Sequence, residues 1–540
     1  MENRAENSER IVLKGALILA ISSGIVKILS AVYKIPLYNL VGSGVMGYYS
    51  TGFQIYSFLL TLATAGFPVA MSRMVATANA QNRKNEPKRI FAVAILTYGL
   101  FSLLVSIAMF FFSDSIAELM NSPGASLSIK SIAPAIFLVT VSSAIKGYYQ
   151  GNQNMVPTSV ANLIEALVKL ISGFTLAFVF MSLYPGEDEI ISAGTILCGA
   201  VSALSALIFL VILTVSKLLK RRKSGIYADQ YCVPSTPYKK LFPEFFAISI
   251  PIMLGSLSTI FSGIVDNYLI LDRFQSIGLS PEAANDIWGS YNTMAGTIYT
   301  LPTFIIVAVS ASIIPAIAKH FSLREKELIR SDINLASRIC GIVVFPIALG
   351  IAVLPEQILG VLYGNDIHIK EVSEALVFLC AAMIFLAFTN CFTGILQAIN
   401  KQKIPVINIV ISLVVKSVLA YILLGIPGVG VKGAAISTLA AMLVSVVLNG
   451  IAIKRHTGMF PSVIKCILKP FISGCCAAAT AWLCFKGLTF TNLAINPSIC
   501  TVISIFAAII VYFIALSVTG TFTKKDFQLL LKSNKNSKNP

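Results

Sequence analysis

Charge is the scarcest property of this 540-residue chain: Asp, Glu, Lys and Arg make up 12% of it, about half of the roughly 25% usual in soluble domains. Hydrophobic residues make up 56%, and the mean hydropathy is +0.82. Together these exclude a soluble enzyme on an anchor and leave a polytopic membrane protein. Histidine is nearly missing, and His320, His368 and His456 all fall in loops, so a buried histidine proton relay is not expected. There is no G-x-x-x-x-G-K-[ST] loop for ATP phosphates and no H-E-x-x-H zinc helix. The ten cysteines lie mostly in apolar stretches and form no C-x-x-C, which argues against both a disulfide framework and a zinc site. No cofactor, metal or enzymatic activity is expected. The polar start, Met1 to Arg10, leads into an apolar run that is too long for a signal peptide and has no small-residue cleavage site, so this run is expected to be the first span.

What the chain does have is long apolar runs. A spanning helix needs about 20 such residues. On that scale the sequence predicts about fourteen spans, near 12–35, 45–70, 90–112, 131–150, 157–182, 190–216, 244–270, 289–316, 335–355, 371–397, 405–425, 432–453, 466–486 and 498–518. The net charge of +17 gathers in alternate loops. Arg73, Arg83, Lys84, Lys88 and Arg89 form one cluster, and Lys217 to Lys240 another. Lys319 to Arg330, then Lys454 with Arg455, and then the tail with Lys524 and Lys525 follow. The loops between them are acidic or neutral, as at Glu187-Asp188-Glu189. By the positive-inside rule both termini are cytoplasmic. The basic loops are accounted for by topology and contact with anionic membrane lipids, and no nucleic acid is implied.

Two segments read alike: GYYQGNQNMVPTSVANLIEALVK, from Gly147, and GILQAINKQKIPVINIVISLVVK, from Gly394. They pair Gly147 with Gly394, Gln150 with Gln397, Pro157 with Pro405 and Lys169 with Lys416. A weaker echo pairs Tyr48 and Tyr56 of span two with Tyr291 and Tyr299 of span eight. The offset is six spans, an even number, so the halves share one orientation. Transporters built from such repeats hold their cargo between the halves near the midplane. The expected fold is all-α: a polytopic membrane protein of about fourteen transmembrane helices, in two six-helix lobes plus two extra helices. The expected segments are an N-terminal lobe over 1–216, a cytoplasmic linker over 217–243 and a C-terminal lobe over 244–453. Spans thirteen and fourteen lie within 454–518, and 519–540 forms a cytoplasmic tail.

Within these spans stand charges that hydrocarbon does not tolerate cheaply. A lysine at the bilayer centre costs about 2.5–3.5 kcal/mol on insertion scales, so it faces a partner or a wet cavity. Lys27 and Lys34 are seven apart, on one face of the first span. Lys169 lies in span five with Glu165 four residues before it, the favourable order for a helical ion pair. Lys146 ends span four. An excess of buried cations points to an anionic cargo, with Lys27, Lys34, Lys169 and Lys146 as candidate ligands. Asp266, deep in span seven, must be either protonated or paired. Lys416 on span eleven is its expected partner, and with Glu165 these two form the candidate ion-pair or coupling set.

The stretch KGALILAISSGIVKILSAVYKIPLYNLVGSGVMGYYSTGFQIYSFLLTLATAGFPVAMSRMVA resembles the start of the polysaccharide-transporter branch of the MOP superfamily, in particular its MurJ and stage V sporulation protein B-like group. The Gly-x-x-Gln turn before Pro157, the basic loop after span six and the span count fit it too, so the resemblance covers essentially the whole chain. It implies alternating access between two lobes and a cargo of lipid-linked glycan precursor, carried by its pyrophosphate and polyprenyl tail, with the tail in a groove of spans thirteen and fourteen. It also implies cell-wall synthesis proteins as partners. Gram-negative members carry arginines on spans one, two and eight. This chain has lysines on the first span and no obvious intramembrane arginine on the other two, and lysine meets phosphate as a point charge without the bidentate fork. A multidrug cation exporter of the same superfamily and a non-transporting scaffold of wall or spore-cortex assembly are the alternatives.

Overall fold

The computed structural model describes residues 2–64, 66–81, 83, 85–223, 237–303, 306, 317–364, 366–490 and 496–521. The described residues form helices and turns, with no strand among them. Eleven helical segments among them are long and apolar enough to cross a membrane. The expected third to sixth and ninth to fourteenth spans each coincide with one of these, within a few residues at most ends; the fourth begins earlier, at Pro123. The number fourteen is not fixed by this. Val32–Ala80 runs through both the end of the first expected span and the second, the seventh lies within the helix Tyr238–Ser276 but is not among the eleven, and the eighth includes residues outside the description.

Chain contacts divide the protein into two compact units, Met1–Thr293 and Met294–Pro540. In the first unit the helices are α1 (Glu2–Thr64), α2 (Phe67–Ala80), α3 (Glu86–Phe111), α4 (Ser113–Leu119), α5 (Ser126–Ile132), α6 (Pro134–Gly151), α7 (Val156–Leu183), α8 (Asp188–Ile196), α9 (Cys198–Lys223), α10 (Tyr238–Ser276) and α11 (Pro281–Ser290). A straight helix as long as α1 would measure about 95 Å, three times the hydrocarbon thickness. The chain breaks it at Gly42, whose φ of 83° and ψ of 177° suit glycine alone. The second expected span then starts at once and bends at Gly66 (φ 80°), with a proline in the first turn of α2. Pro36 and Pro251 lie inside continuous helix, whereas Pro302 follows the end of a short helix, Gly296–Thr300.

The packing of α10 explains why the first unit extends past the basic linker. At one end its Phe245 packs edge-on against Phe67 of α2, ring centroids 5.4 Å apart, and the Tyr98 hydroxyl of α3 donates to Ser249 at 2.9 Å. Toward the other end, buried Asn267 donates to the Thr51 hydroxyl of α1 at 3.1 Å. A unit defined by contacts is thus a different division from a lobe defined by duplication.

In the second unit, α12 (Gly296–Thr300) is followed by α13 (Lys326–Val353), α14 (Pro355–Tyr363), α15 (Ile369–Ala398), α16 (Lys403–Leu424), α17 (Lys432–Thr457), α18 (Lys469–Phe490) and α19 (Pro497–Val518). The last two pack on each other and on α13 and α14 through Leu354, Ala477, Ala481 and Tyr512. The Tyr512 hydroxyl donates to the Ile342 carbonyl at 2.6 Å, which ties the final helix to the bundle.

The internal resemblance has a structural counterpart, seen in each unit by itself. After α6 the Gln153 N–H bonds the Gln150 carbonyl and the Asn154 N–H bonds that of Tyr149. After α15 the Asn400 N–H bonds Gln397 and the Lys401 N–H bonds Leu396. Both are Schellman caps, with Gln153 at φ 58° and Asn400 at φ 60° in the left-handed position that glycine usually takes. The same turn is built twice at matching positions. Left-handed backbone costs an ordinary side chain about 1 kcal/mol, and asparagine less. Gln153→Gly is therefore expected to raise the apparent melting temperature in detergent by roughly 1–3 °C, and Asn400→Gly by less. A lowered melting temperature for Gln153→Gly would contradict this reading of the cap.

Candidate functional site

The break at Gly42 sends the chain back along itself. Tyr33 and Tyr49 would lie about 24 Å apart on one straight helix, yet both line a single cavity of about 210 Å³. The first segment of α1 contributes Leu29, Ser30, Tyr33 and Lys34, the second Tyr49 and Phe53, and α7 adds Ala166, Lys169 and Leu170. Helical spacing puts each set on one face. Lys34 and Lys169, chosen from sequence for their charge alone, thus meet at one cavity inside the first unit.

Aromatic faces rather than carboxylates hold Lys169. Its Nζ lies 4.9 Å from the Phe53 ring centroid and 6.0 Å from that of Tyr33. A ring face attracts a desolvated ammonium by up to about 2 kcal/mol without neutralising it. Tyr33 is itself fixed: it is 4% exposed, packs edge-on against Phe174 at 5.6 Å, and its hydroxyl lies 3.5 Å from the Cys198 Sγ. Phe53 stacks on Tyr49 at 6.2 Å. Among the described residues, neither Lys34 nor Lys169 forms a salt bridge.

The sequence spacing that suggested a Glu165–Lys169 pair is not how the carboxylate is used. Glu165 pairs with Lys146 of α6 at 3.2 Å. The two helices meet there, with the Thr158 hydroxyl donating to the Lys146 carbonyl at 3.5 Å. The Lys146 ammonium reaches Glu165 from the neighbouring helix, while Lys169 turns to the rings. Glu165 is thereby paired with Lys146, and no carboxylate is among the residues lining the Lys34–Lys169 cavity. Lys27 lies on helical backbone in α1, but its side chain lies outside the described residues. Asp266 is on α10, next to Asn267. Lys416 is on α16 in the second unit and 4% exposed. Asp266 and Lys416 belong to different units.

Two polar features escaped the sequence reading. In the second unit Asn408, Ser412 and Lys416, all at most 7% exposed, form a buried stripe along α16 at four-residue spacing. Asn408 donates to Asn449 of α17 at 2.8 Å, and the Ser412 hydroxyl donates to the Asn408 carbonyl at 2.8 Å. That spacing within an apolar run was the available signal. In the first unit, α1 and α11 meet along a seam of very close backbone approach. A Cβ added to Gly289 would run into the Ser43 carbonyl oxygen and the Gly47 backbone, and one added to Gly47 into Asn285. The Asn285 amide donates to the Gly44 carbonyl at 2.9 Å, and the Tyr38 hydroxyl lies 2.9 Å from that of Ser290.

Comparison with known proteins places these features in a family. Residues 12–321 match the polysaccharide biosynthesis protein family, and residues 291–422 match the MatE family. Stage V sporulation protein B of Bacillus subtilis (strain 168) is 26% identical over 89% of this chain and 92% of its own length. Lipid II flippase MurJ of the same strain is 24% identical over 83% of each chain. Among solved structures, lipid II flippase MurJ in an inward closed conformation superposes with a TM-score of 0.66 at 19% identity, covering 93% of this chain and 98% of that one. An inward-facing multidrug resistance MATE family transporter of the MOP superfamily gives the same TM-score at 15% identity, over 83% of this chain and 98% of that one. This polytopic, helical membrane protein belongs to the polysaccharide biosynthesis protein family.

Proposed function

We propose that the protein is an alternating-access flippase that carries an undecaprenyl-pyrophosphate-linked cell-wall precursor, of lipid II type, from the inner to the outer leaflet of the cell membrane. One observation carries this reading: a cavity lined by two ammonium groups, Lys34 and Lys169, the latter held by aromatic rings, with no carboxylate among its lining residues. A pyrophosphate entering there gains charge-assisted hydrogen bonds, roughly twice as strong as neutral ones, and displaces no internal counter-ion. Its relatives' names, lipid II flippase MurJ and stage V sporulation protein B, support the same class of cargo. Lys27, two helical turns before Lys34, extends the cationic face. Spans thirteen and fourteen take the polyprenyl tail, and cell-wall synthesis proteins supply and receive the cargo.

The MatE match favours a second reading, a multidrug exporter of organic cations. The cavity counts against it, since two uncompensated ammonium groups repel a cationic drug. A non-transporting scaffold of wall or spore-cortex assembly would have no use for such a cavity.

Within this proposal both termini are cytoplasmic, and the α1–α11 seam is the closed outer end of the pathway. The empty cationic cavity feels the membrane potential at about 2.3 kcal/mol per charge per 100 mV. That biases it inward until a bound pyrophosphate cancels the charge.

Two expectations follow. Lys34→Gln and Lys169→Gln each remove a charged hydrogen bond worth about 1.5–3 kcal/mol, so each lowers cargo affinity roughly ten- to hundredfold. Neither should rescue a strain depleted of its lipid II flippase, although both accumulate in the membrane normally; full rescue by either would remove that lysine from the cargo site. Replacing Gly289 by Val should wedge the seam apart. A cysteine at Thr51 should then react faster with an impermeant thiol reagent added outside, above the background of the native cysteines. Unchanged labelling at a normal protein level would show that the seam is not the outer closure.

A further inference from the structure

The second unit holds a groove that the cargo reading leaves unused. Phenylalanines from four chain segments face it: Phe345 of α13, Phe388 and Phe392 of α15, Phe460 in the turn after α17, and Phe471 of α18. They form a continuous ladder, with centroids 6.2 Å apart for Phe345–Phe388, 6.0 Å for Phe388–Phe392, 6.4 Å for Phe392–Phe460 and 5.6 Å for Phe345–Phe471. The groove has a volume of about 640 Å³, and Lys454 is the one lining residue with a polar side chain. From the wall formed by α17, Val447 and Ile451 are 49% and 59% exposed.

We infer that this groove is a binding site for one anionic diacyl glycerophospholipid, with an acyl chain along the phenylalanine ladder and the headgroup phosphate on Lys454. Length and charge both select this occupant. The groove follows α17 from Leu443 to Lys454, a rise of about 16 Å. That is half of the roughly 30 Å hydrocarbon core, the depth that one leaflet's acyl chain fills. A much longer polyprenyl chain would overrun it. The polar end is basic: Lys454 and Arg455 occupy the last turn of α17, with Lys465 in the helical turn that follows. A phosphate there meets cationic neighbours, and the carbonyl end of the helix favours a cation at this position. Rigid rings lose little freedom on binding, so an acyl chain is ordered at low entropic cost. The bound lipid then fills the space between α17 and α18 and helps seat span thirteen on the bundle.

The test is native mass spectrometry of the purified full-length protein, delipidated and then mixed with phosphatidylglycerol or phosphatidylcholine of equal chain length. Wild type should retain phosphatidylglycerol about tenfold better. Lys454→Gln, at an exposed position, should abolish that preference while keeping weak binding of both lipids. Ile451→Trp, which fills the groove from an exposed position, should lower retention of both. Melting temperatures of the lipid-free variants should match wild type, so that lost binding is not lost folding. Equal retention of the two lipids by wild type, or identical retention by wild type and both variants, overturns the proposal. So does displacement of phosphatidylglycerol by equimolar undecaprenyl phosphate, which would make the groove a polyprenyl site. A dimer mass that vanishes in Ile451→Trp would also overturn it, since a second copy of the chain would then cover the groove.

Discussion

An ammonium group inside a membrane must be held without being cancelled, and the first unit is organised around that constraint. Leaving Lys34 and Lys169 in hydrocarbon would cost a few kcal/mol each. Pairing each with a carboxylate would make insertion easy and the cavity electrically silent. The structure uses aromatic faces for Lys169 and spends the nearby acid, Glu165, on Lys146. The field of the cavity therefore stays positive, and a cargo phosphate is its natural complement. The glycine break at residue 42 matters for the same reason. It folds two segments of one long helix together, so that Tyr33 and Phe53 can both reach the lysine on α7.

The close α1–α11 seam and the double attachment of α10 belong to a second layer of the same design. A transporter must close at least one end of its pathway with contacts that can also come apart. Backbone approach at Gly47 and Gly289, with hydrogen bonds from Asn285, makes a tight joint out of small groups rather than a large apolar interface. In lipid such small-residue contacts are a usual way for helices to associate.

Much of this architecture was legible in the chain. Hydropathy located most of the spans to within a few residues, because span length is set by bilayer thickness rather than by packing detail. The repeat was legible because Gly147, Gln150 and Pro157 mark a cap whose hydrogen bonds recur at Gly394, Gln397 and Pro405. Lys34 and Lys169 were legible because a charge in an apolar run is conspicuous. What escaped were relations across helices. Periodicity along α7 offered Glu165 to Lys169, but Lys146 arrives from α6, and one-dimensional spacing cannot see that. Tyr33, Tyr49 and Phe53 read as ordinary apolar residues until the turn at Gly42 gathers them. The left-handed backbone at Gln153 is forced by the cap and has no side-chain signature.

The central claim is that Lys34 and Lys169 act together on one pyrophosphate. The most direct measurement is equilibrium binding of undecaprenyl pyrophosphate and undecaprenyl monophosphate to the purified protein in lipid nanodiscs, for wild type, Lys34→Gln, Lys169→Gln and the double variant. The account predicts tighter binding of the pyrophosphate by wild type, loss of most of that difference in either single variant, and a double variant little worse than the singles, because both groups serve the same ligand. Equal affinity for the two lipids, unaffected by either substitution, would contradict it.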